Sequence, residues 1–417
     1  MPFRSRCRSV GAICLTGLVV LVVVPVVGPV ASAELDPTFG SAPGGVVQVD
    51  PAGFSEGRAV ATLGDGSILA ATPGRIVKYT STGALDTSFG PVSTPGRVEL
   101  GSIDPSGIAV DGSGDIVVTG TYQGTLSPGD PVAVRVSATG VVDTGFSGSI
   151  YPYGFRVSAP IEVGASITVS TYEVLSGEVC LHRLQASDGT LDTGFGTGGH
   201  VCTTLPGQVT GVYGRANAGG SYTVFAPFLP SGASASSIAV VDISPAGVVL
   251  PPVRTIGSLP AEFILSGRVD SNGRLIVHGE GFVRRYAGES LDPAFGDAGV
   301  VHATGMRIEQ TADLPDGRLA LLGSVASQAQ VRLLTADGRP DGALDPGDDT
   351  PDRISIPHST FPGWTADAGA LFGATASGGR LVVIGTERDM NGLSTVHSGA
   401  VLARTGVIGA ADPVAGT

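Results

Sequence analysis

Cys180 and Cys202 bracket the segment CLHRLQASDGTLDTGFGTGGHVC, which opens Cys-Leu-His and closes His-Val-Cys. Two thiols and two imidazoles at mirrored spacing suit three chemistries. These are tetrahedral zinc through Cys180, His182, His200 and Cys202, a thiol redox pair, or a covalent staple. In an antiparallel pair with no net bulge, opposed residues share one index sum. Here the two cysteines and the two histidines have the same sum, so one register opposes both pairs on one face. Directly opposed strand residues can meet the Cα separation of about 4.4–6.8 Å that a disulfide needs, whereas two adjacent pairs on a flat sheet rarely close a tetrahedron. The spacing predicts a Cys180–Cys202 disulfide, with free thiols and zinc as the alternatives.

Other candidate chemistry is thin. There is no GxSxG elbow, no HExxH, no Walker loop and no GxGxxG between a strand and a helix. The acidic stretch DPGDDTPD (345–352) lacks the spacing and closing glutamate of an EF-hand, and reads as a solvated turn.

The elements that position these residues are legible from internal repetition. LDPTFG starts at Leu35, LDTSFG at Leu85, LDTGFG at Leu191 and LDPAFG at Leu291, with weaker copies at Val142 and Leu344. Decayed copies at Val249 and Ile408 complete eight anchors, bounding seven intervals of roughly 53 residues. Two further signals also count to seven. One is a turn followed by a short apolar strand, such as GDGSILAA (64–71), SNGRLIVHG (271–279) and PDGRLALLG (315–323). The other is a strand that usually carries a cation, such as RIVKYTSTG, VAVRVSATG, CLHRLQASDG and FVRRYAGES. Each strong LDxxFG is followed by an extended piece such as GRVEL (96–100) or GGHVCTTL (198–205). The expected fold is all-β: a seven-bladed β-propeller of four-stranded antiparallel blades over 34–409, with a short tail at 410–417. The seventh interval lacks an outer strand, and GGVVQVD (44–50) is expected to supply it and remove a free sheet edge.

The LDxxFG…DGxhhhxG pattern resembles the delta-60 repeat family of bacterial exported β-propeller proteins, over nearly all of residues 35–408. The resemblance implies a fold and a location, and almost no biochemical role.

The repeated Asp36, Asp86, Asp143, Asp192, Asp292 and Asp345 suggest calcium at first sight. The structural alternative is stronger: an Asp at a turn accepts backbone N–H bonds, and Phe39, Phe89, Phe146, Phe195 and Phe295 bury between blades. Lys78, Arg135, Arg183 and Arg284 precede their aspartates by a near-constant spacing, which predicts an ion pair within each blade.

Residues 1–33 read as a signal peptide, with Arg4, Arg6 and Arg8 before an apolar run and Ala31-Ser32-Ala33 as cleavage site. A retained anchor is the alternative, because the run approaches spanning length. Cleavage removes three arginines and no acid, taking the net charge from −13 to −16. That balance argues against nucleic acid and anionic membranes. The expected protein is a monomer in the secreted fraction or extracellular envelope. Loops at the channel mouth carry Glu56, Asp104, Glu162, Glu262, Glu309, Asp367, Tyr122, Tyr172 and Trp364. They form the candidate ligand face for a protein, peptide or glycan. The leading expectation is a non-catalytic binding or scaffold module with no cofactor. The alternative is a metal-dependent, lactonase- or esterase-like hydrolase whose axial carboxylates hold a cation such as Ca²⁺.

Overall fold

The computed structural model describes residues 35–40, 45–49, 56–124, 129–150, 155–259, 264–270, 272–341, 353–356, 366–377, 380–391 and 394–405. The expected signal peptide, Glu262, Asp345, Trp364 and the stretch 345–352 lie outside them.

Strand β1 (Val46–Val49) joins the last sheet of the chain. The first sheet is β2 (Ala59–Thr62), β3 (Ile68–Thr72), β4 (Arg75–Tyr79) and β5 (Arg97–Glu99), paired in that order. The second is β6 (Ile103–Val110), β7 (Ile116–Tyr122) and β8 (Asp130–Val136). The third holds β9 (Arg156–Val157), β10 (Glu162–Val163), β11 (Ser166–Tyr172), β12 (Glu178–Gln185) and β13 (His200–Thr204). The fourth holds β14 (Gly207–Val209), β15 (Tyr213–Ala216), β16 (Tyr222–Pro230), β17 (Ser236–Ile243) and β18 (Val249–Leu259). A seven-stranded sheet follows: β19 (Ile264–Val269), β20 (Leu275–Ala287), β21 (Ser290–Leu291), β22 (Val300–Asp313), β23 (Leu319–Val325), β24 (Gln328–Leu334) and β25 (Arg353–Ser355). The last comprises β26 (Ala366–Ser377), β27 (Arg380–Asn391) and β28 (Ser394–Arg404), with β1 on its outer side. All named pairings are antiparallel, and no described residue is helical.

The middle strands of these sheets are nearly continuous apolar runs, because both faces are covered. On β3, Ile68 and Ala70 pack with Val382 and Ile384 of β27. Leu69, on the opposite face, packs with Ile116 and Val118 of β7. The fourth sheet is likewise covered on one side by Val179 and Leu181 of the third, and on the other by Leu275 and Val277. The core is thus a series of apolar layers between consecutive sheets, which stack face to face.

Two expectations need correcting in this region. The second- and third-strand segments of the fifth repeat fall within one element, β20. The outer strand of that repeat runs directly into the first strand of the next as β22, which fuses two repeats into one sheet. Strand β22 continues through 305 and 306 even though Gly305 adopts a φ of +76°.

Each LDxxFG corner docks on the next repeat. Gly90 N–H donates to Thr139 O at 2.9 Å, Gly196 to Ala246 at 2.8 Å and Gly296 to Asp337 at 2.7 Å. Beside each of these carbonyls a glycine lies against the phenylalanine of the preceding repeat. Gly140 shows the constraint: its φ is +86°, and a Cβ there would sit 2.3 Å from Gly90 N and 3.0 Å from the Phe89 ring. Left-handed backbone and backbone overlap both oppose a side chain. Gly140→Ala is expected to cost about 3 kcal/mol in urea unfolding. Gly64→Ala, where a Cβ meets nothing within 4 Å, is the control and should stay within about 1 kcal/mol of wild type. Equal stability of the two variants would refute the docking argument.

Candidate functional site

Three places gather the residues singled out by sequence. The first is the repeated corner. Lys78 Nζ lies 3.1 Å from Asp86, Arg135 Nε 2.9 Å from Asp143, and Arg183 Nε 2.7 Å from Asp192. In the fifth repeat the partner of Asp292 is Arg285, at 2.8 Å, and not the expected Arg284. The constant is structural. Each cation immediately precedes the residue bridged to the anchor, as in Tyr79↔Leu85, Val136↔Val142, Leu184↔Leu191 and Tyr286↔Leu291. The fifth-repeat turn is shorter, so counting along the chain picks the wrong arginine.

The same corner is assembled across the two ends of the described chain. Thr405 bridges Leu35, and Arg404 donates to Asp36 at 2.8 Å. These cations also cover the corner aromatics, with Arg183 4.5 Å from the Phe195 centroid, Arg285 4.2 Å from Phe295 and Arg404 4.5 Å from Phe39. Burial alone would raise the pKa of Asp36. Its bonds from Thr38 and the nearby Arg404 more than offset that, holding the carboxyl below its usual range. At each described corner the carboxylate is committed to an arginine or lysine and a backbone N–H, which is the structural role.

The second place is the mirrored segment. Strands β12 and β13 pair in the expected register, with Cys180 opposite Cys202 and His182 opposite His200. The sulfurs are bonded. The imidazoles stack at 5.6 Å, and His182 Nε2 meets Thr171 Oγ1 at 2.9 Å. Burial, reinforced by His200, pushes the His182 pKa down to about 3. Among the described residues the one cluster of metal-ligating types is Glu178, Cys180 and Cys202, and the disulfide consumes both of its thiolates. Replacing Cys180 and Cys202 together by Ser is expected to cost about 3 kcal/mol, given a separation of 22 residues. Reduction should add two hydrogens to the mass, and an unchanged mass would refute the bridge.

The third place is a cavity of about 510 Å³ where the first strands of six successive repeats converge. Its lining combines Arg58, Ser106, Tyr172, Tyr213, Arg268, Glu309 and Gln310 with the loop segments 157–161 and 210–214. Irregular inner strands create it. β9 and β10 both pair with β11 but leave 158–161 between them, and β14 and β15 leave 210–212 beside β16. Register shifts in β6 and β22 fall at Ser106 and Glu309, which both line the cavity. Bulges redirect side chains in this way. Gly107 permits the crowding next to Ser106, since a Cβ there would lie 2.4 Å from Ala159 Cα.

The expected ligand-face acids divide around this cavity. Arg58 contacts Glu56 at 3.0 Å and Asp104 at 2.8 Å. Glu309 pairs with Arg307 at 2.6 Å, and Glu162 accepts the Tyr222 hydroxyl at 2.8 Å. Tyr172 lines the cavity, whereas Tyr122 packs between the first two sheets. Asp367 lies on β26, and its side chain is outside the described set. Sequence reading missed Arg58, Arg268, Tyr213 and Gln310. Arg268 holds Asp313 through two nitrogens, at 2.7 and 2.5 Å, and Thr311 through Nε at 2.9 Å. Burial pushes the Tyr213 phenol up to about 12.

No family model matches the chain, and no curated protein matches it in sequence. Solved structures do resemble it. YCF48 bound to D1 peptide is 11% identical with a TM-score of 0.46, covering 88% of this chain and 98% of that one. A gluconolactonase from Xanthomonas campestris is 14% identical with a TM-score of 0.39, covering 70% and 91%. Prolyl oligopeptidase B from Galerina marginata, bound to a 35mer substrate, is 8% identical with a TM-score of 0.43, covering 84% of this chain and 51% of that one. These are propeller-type proteins, and the resemblance concerns architecture alone.

Proposed function

We propose that the chain is an exported, non-catalytic seven-bladed β-propeller of the delta-60 repeat type, monomeric, which binds a protein, peptide or glycan through its axial cavity. Seven apolar clusters support the blade count, each lying between consecutive repeat segments and one between the last and the first. Pairing of β1 with β28 supports closure by the N-terminal strand.

One observation carries the non-catalytic reading. Each charged side chain that lines the cavity among the described residues already has a counter-charge: Arg58 with Glu56 and Asp104, Arg268 with Asp313, and Glu309 with Arg307. A divalent cation needs several carboxylate oxygens free to converge, and these acids are held by guanidinium groups. The test is a screen of the folded, purified protein against peptide and glycan arrays, alongside elemental analysis. Array binding without stoichiometric metal is the expected result. Stoichiometric Ca²⁺ or Zn²⁺ together with turnover of lactones or esters would replace this reading by the metal-dependent hydrolase. N-terminal sequencing of the secreted protein, expected to begin at Glu34, tests export and signal cleavage.

A further inference from the structure

We infer that the axial cavity takes a compact, neutral, hydroxylated ligand of the size of a mono- or disaccharide. The inference rests on the binding-module reading and narrows it to one ligand class. Two features of the lining decide between a sugar, an anion and an extended peptide.

The first is charge. An anionic ligand would have to compete for Arg58 or Arg268, but Asp104 and Asp313 already occupy them in two-pronged pairs. A cationic ligand would likewise have to displace Arg307 from Glu309. Among the described residues, the lining therefore offers unpaired charge of neither sign.

The second is the backbone. A bound strand needs a continuous edge of free N–H and C=O groups. The inner edge here is broken where the cavity lies. Ser158 N–H donates to Ser170 O at 2.9 Å, Ile161 N–H to Thr168 O at 2.8 Å, and Thr210 N–H to Pro227 O at 2.9 Å. Pro160 has no N–H to give. Among the described residues of the third and fourth repeats, these segments present no continuous edge for a peptide to extend.

What remains is short-range and polar. The Ser106 hydroxyl and the Gln310 amide line the cavity with no partner among the described residues, as do the Gly211 and Val212 backbone amides. Between them lie the Tyr213 ring and the apolar surfaces of Val157, Ile161 and Val269. Scattered hydrogen-bonding groups around apolar patches match a sugar, whose hydroxyls ring its C–H faces. A volume of about 510 Å³ lies within the range of small-molecule sites and holds one or two pyranose rings.

The test uses the full mature chain and calorimetry or saturation-transfer NMR. The probes are glucose, galactose, mannose, cellobiose, maltose and lactose, with glucuronate and glucose 6-sulfate as charged counterparts. A library of neutral ten-residue peptides completes the set. At least one neutral sugar is expected to bind with a Kd between about 10 μM and 1 mM, changing less than about twofold between 50 and 500 mM NaCl. Its charged counterpart should bind at least about tenfold more weakly. Gln310→Ala and Ser106→Ala, made singly because neither residue is in the core, should each weaken the sugar about fivefold or more, with the melting temperature unchanged. Absence of any sugar binding, salt-dependent preference for the charged probes, or indifference to both variants would overturn the inference. Peptide binding that Gln310→Ala abolishes would overturn the sugar assignment while leaving the binding module standing. Metal-dependent hydrolysis would remove both.

Discussion

Deleting residues 35–49 is expected to abolish cooperative folding at 37 °C, although the segment is short and its described residues hold a single four-residue strand. Its side chains are placed in the core. Phe39, Val46 and Val49 are at most 2% exposed, and Val46 and Val49 belong to the clusters on either side of the last sheet. Burying three such side chains contributes about 6 kcal/mol at the usual range per residue. The deletion also leaves Arg404 without Asp36, and leaves β28 as an unpaired edge after loss of its register with Val46–Val49. The sum is comparable to the whole net stability of a typical domain. Differential scanning calorimetry of the truncated chain should give no sharp transition, and a synthetic peptide of residues 35–49 added in trans should restore one. Phe39→Ala gives a milder check, with an expected cost of about 3–5 kcal/mol. The cycle of Asp36→Ala with Arg404→Ala should give a coupling energy of about 1–3 kcal/mol. A truncated chain melting like the full one would show that the N-terminal strand is peripheral.

What the sequence made legible follows from which physical rules have a fixed period. Strand alternation has a period of two, so the mirrored cysteines and histidines could be assigned a register before any coordinates, and β12 pairs with β13 in that register. Corner residues recur because each must fill the same niche against the next repeat, so Asp36, Phe39 and their copies could be assigned a structural role. The pairing of Arg285 with Asp292 was not legible by counting, because turn length varies and the bridged residue is the true reference. The cavity was only half legible. Its acids could be placed near the channel mouth, but Arg58 reaches Asp104 in the neighbouring repeat, across 46 residues. Bulges such as those at Ser106 and Glu309 leave no signature in hydrophobic alternation, so the side chains they redirect had no local signal. Rules that act between repeats, unlike those within one, need the stacked arrangement before they can be applied.

Acidification is expected to destabilise the protein well above the carboxylate range, because two histidines are buried without charge. His182 on β12 and His278 on β20 are both fully buried. Burial pushes the first down to about 3. Burial also lowers the second, with Arg268 adding to it and the hydrogen bond to Ile308 O opposing it, leaving it at about 4. An unfolded histidine titrates near pH 6.5. Between that value and the folded pKa the unfolded chain binds a proton that the native chain does not, so stability falls as the pH drops through this window. From pH 7 to pH 5 each histidine contributes a loss of about 2 kcal/mol, or about 4 kcal/mol together. The corner aspartates act in a lower window. Asp36, Asp86 and Asp292 have folded pKa values below 3.8, so their contribution is present above the unfolded carboxylate range and is lost only as the pH falls through about 4 and below. The two windows separate the causes. Urea midpoints measured at pH 7.5, 6.0 and 5.0 should decline, and His182→Gln or His278→Gln should each remove about half of that decline, whatever either substitution does to stability at pH 7.5. A midpoint constant between pH 7.5 and 5.0 would mean that one or both imidazoles take up a proton in the native state, which the enclosed faces of β12 and β20 could accommodate only by opening.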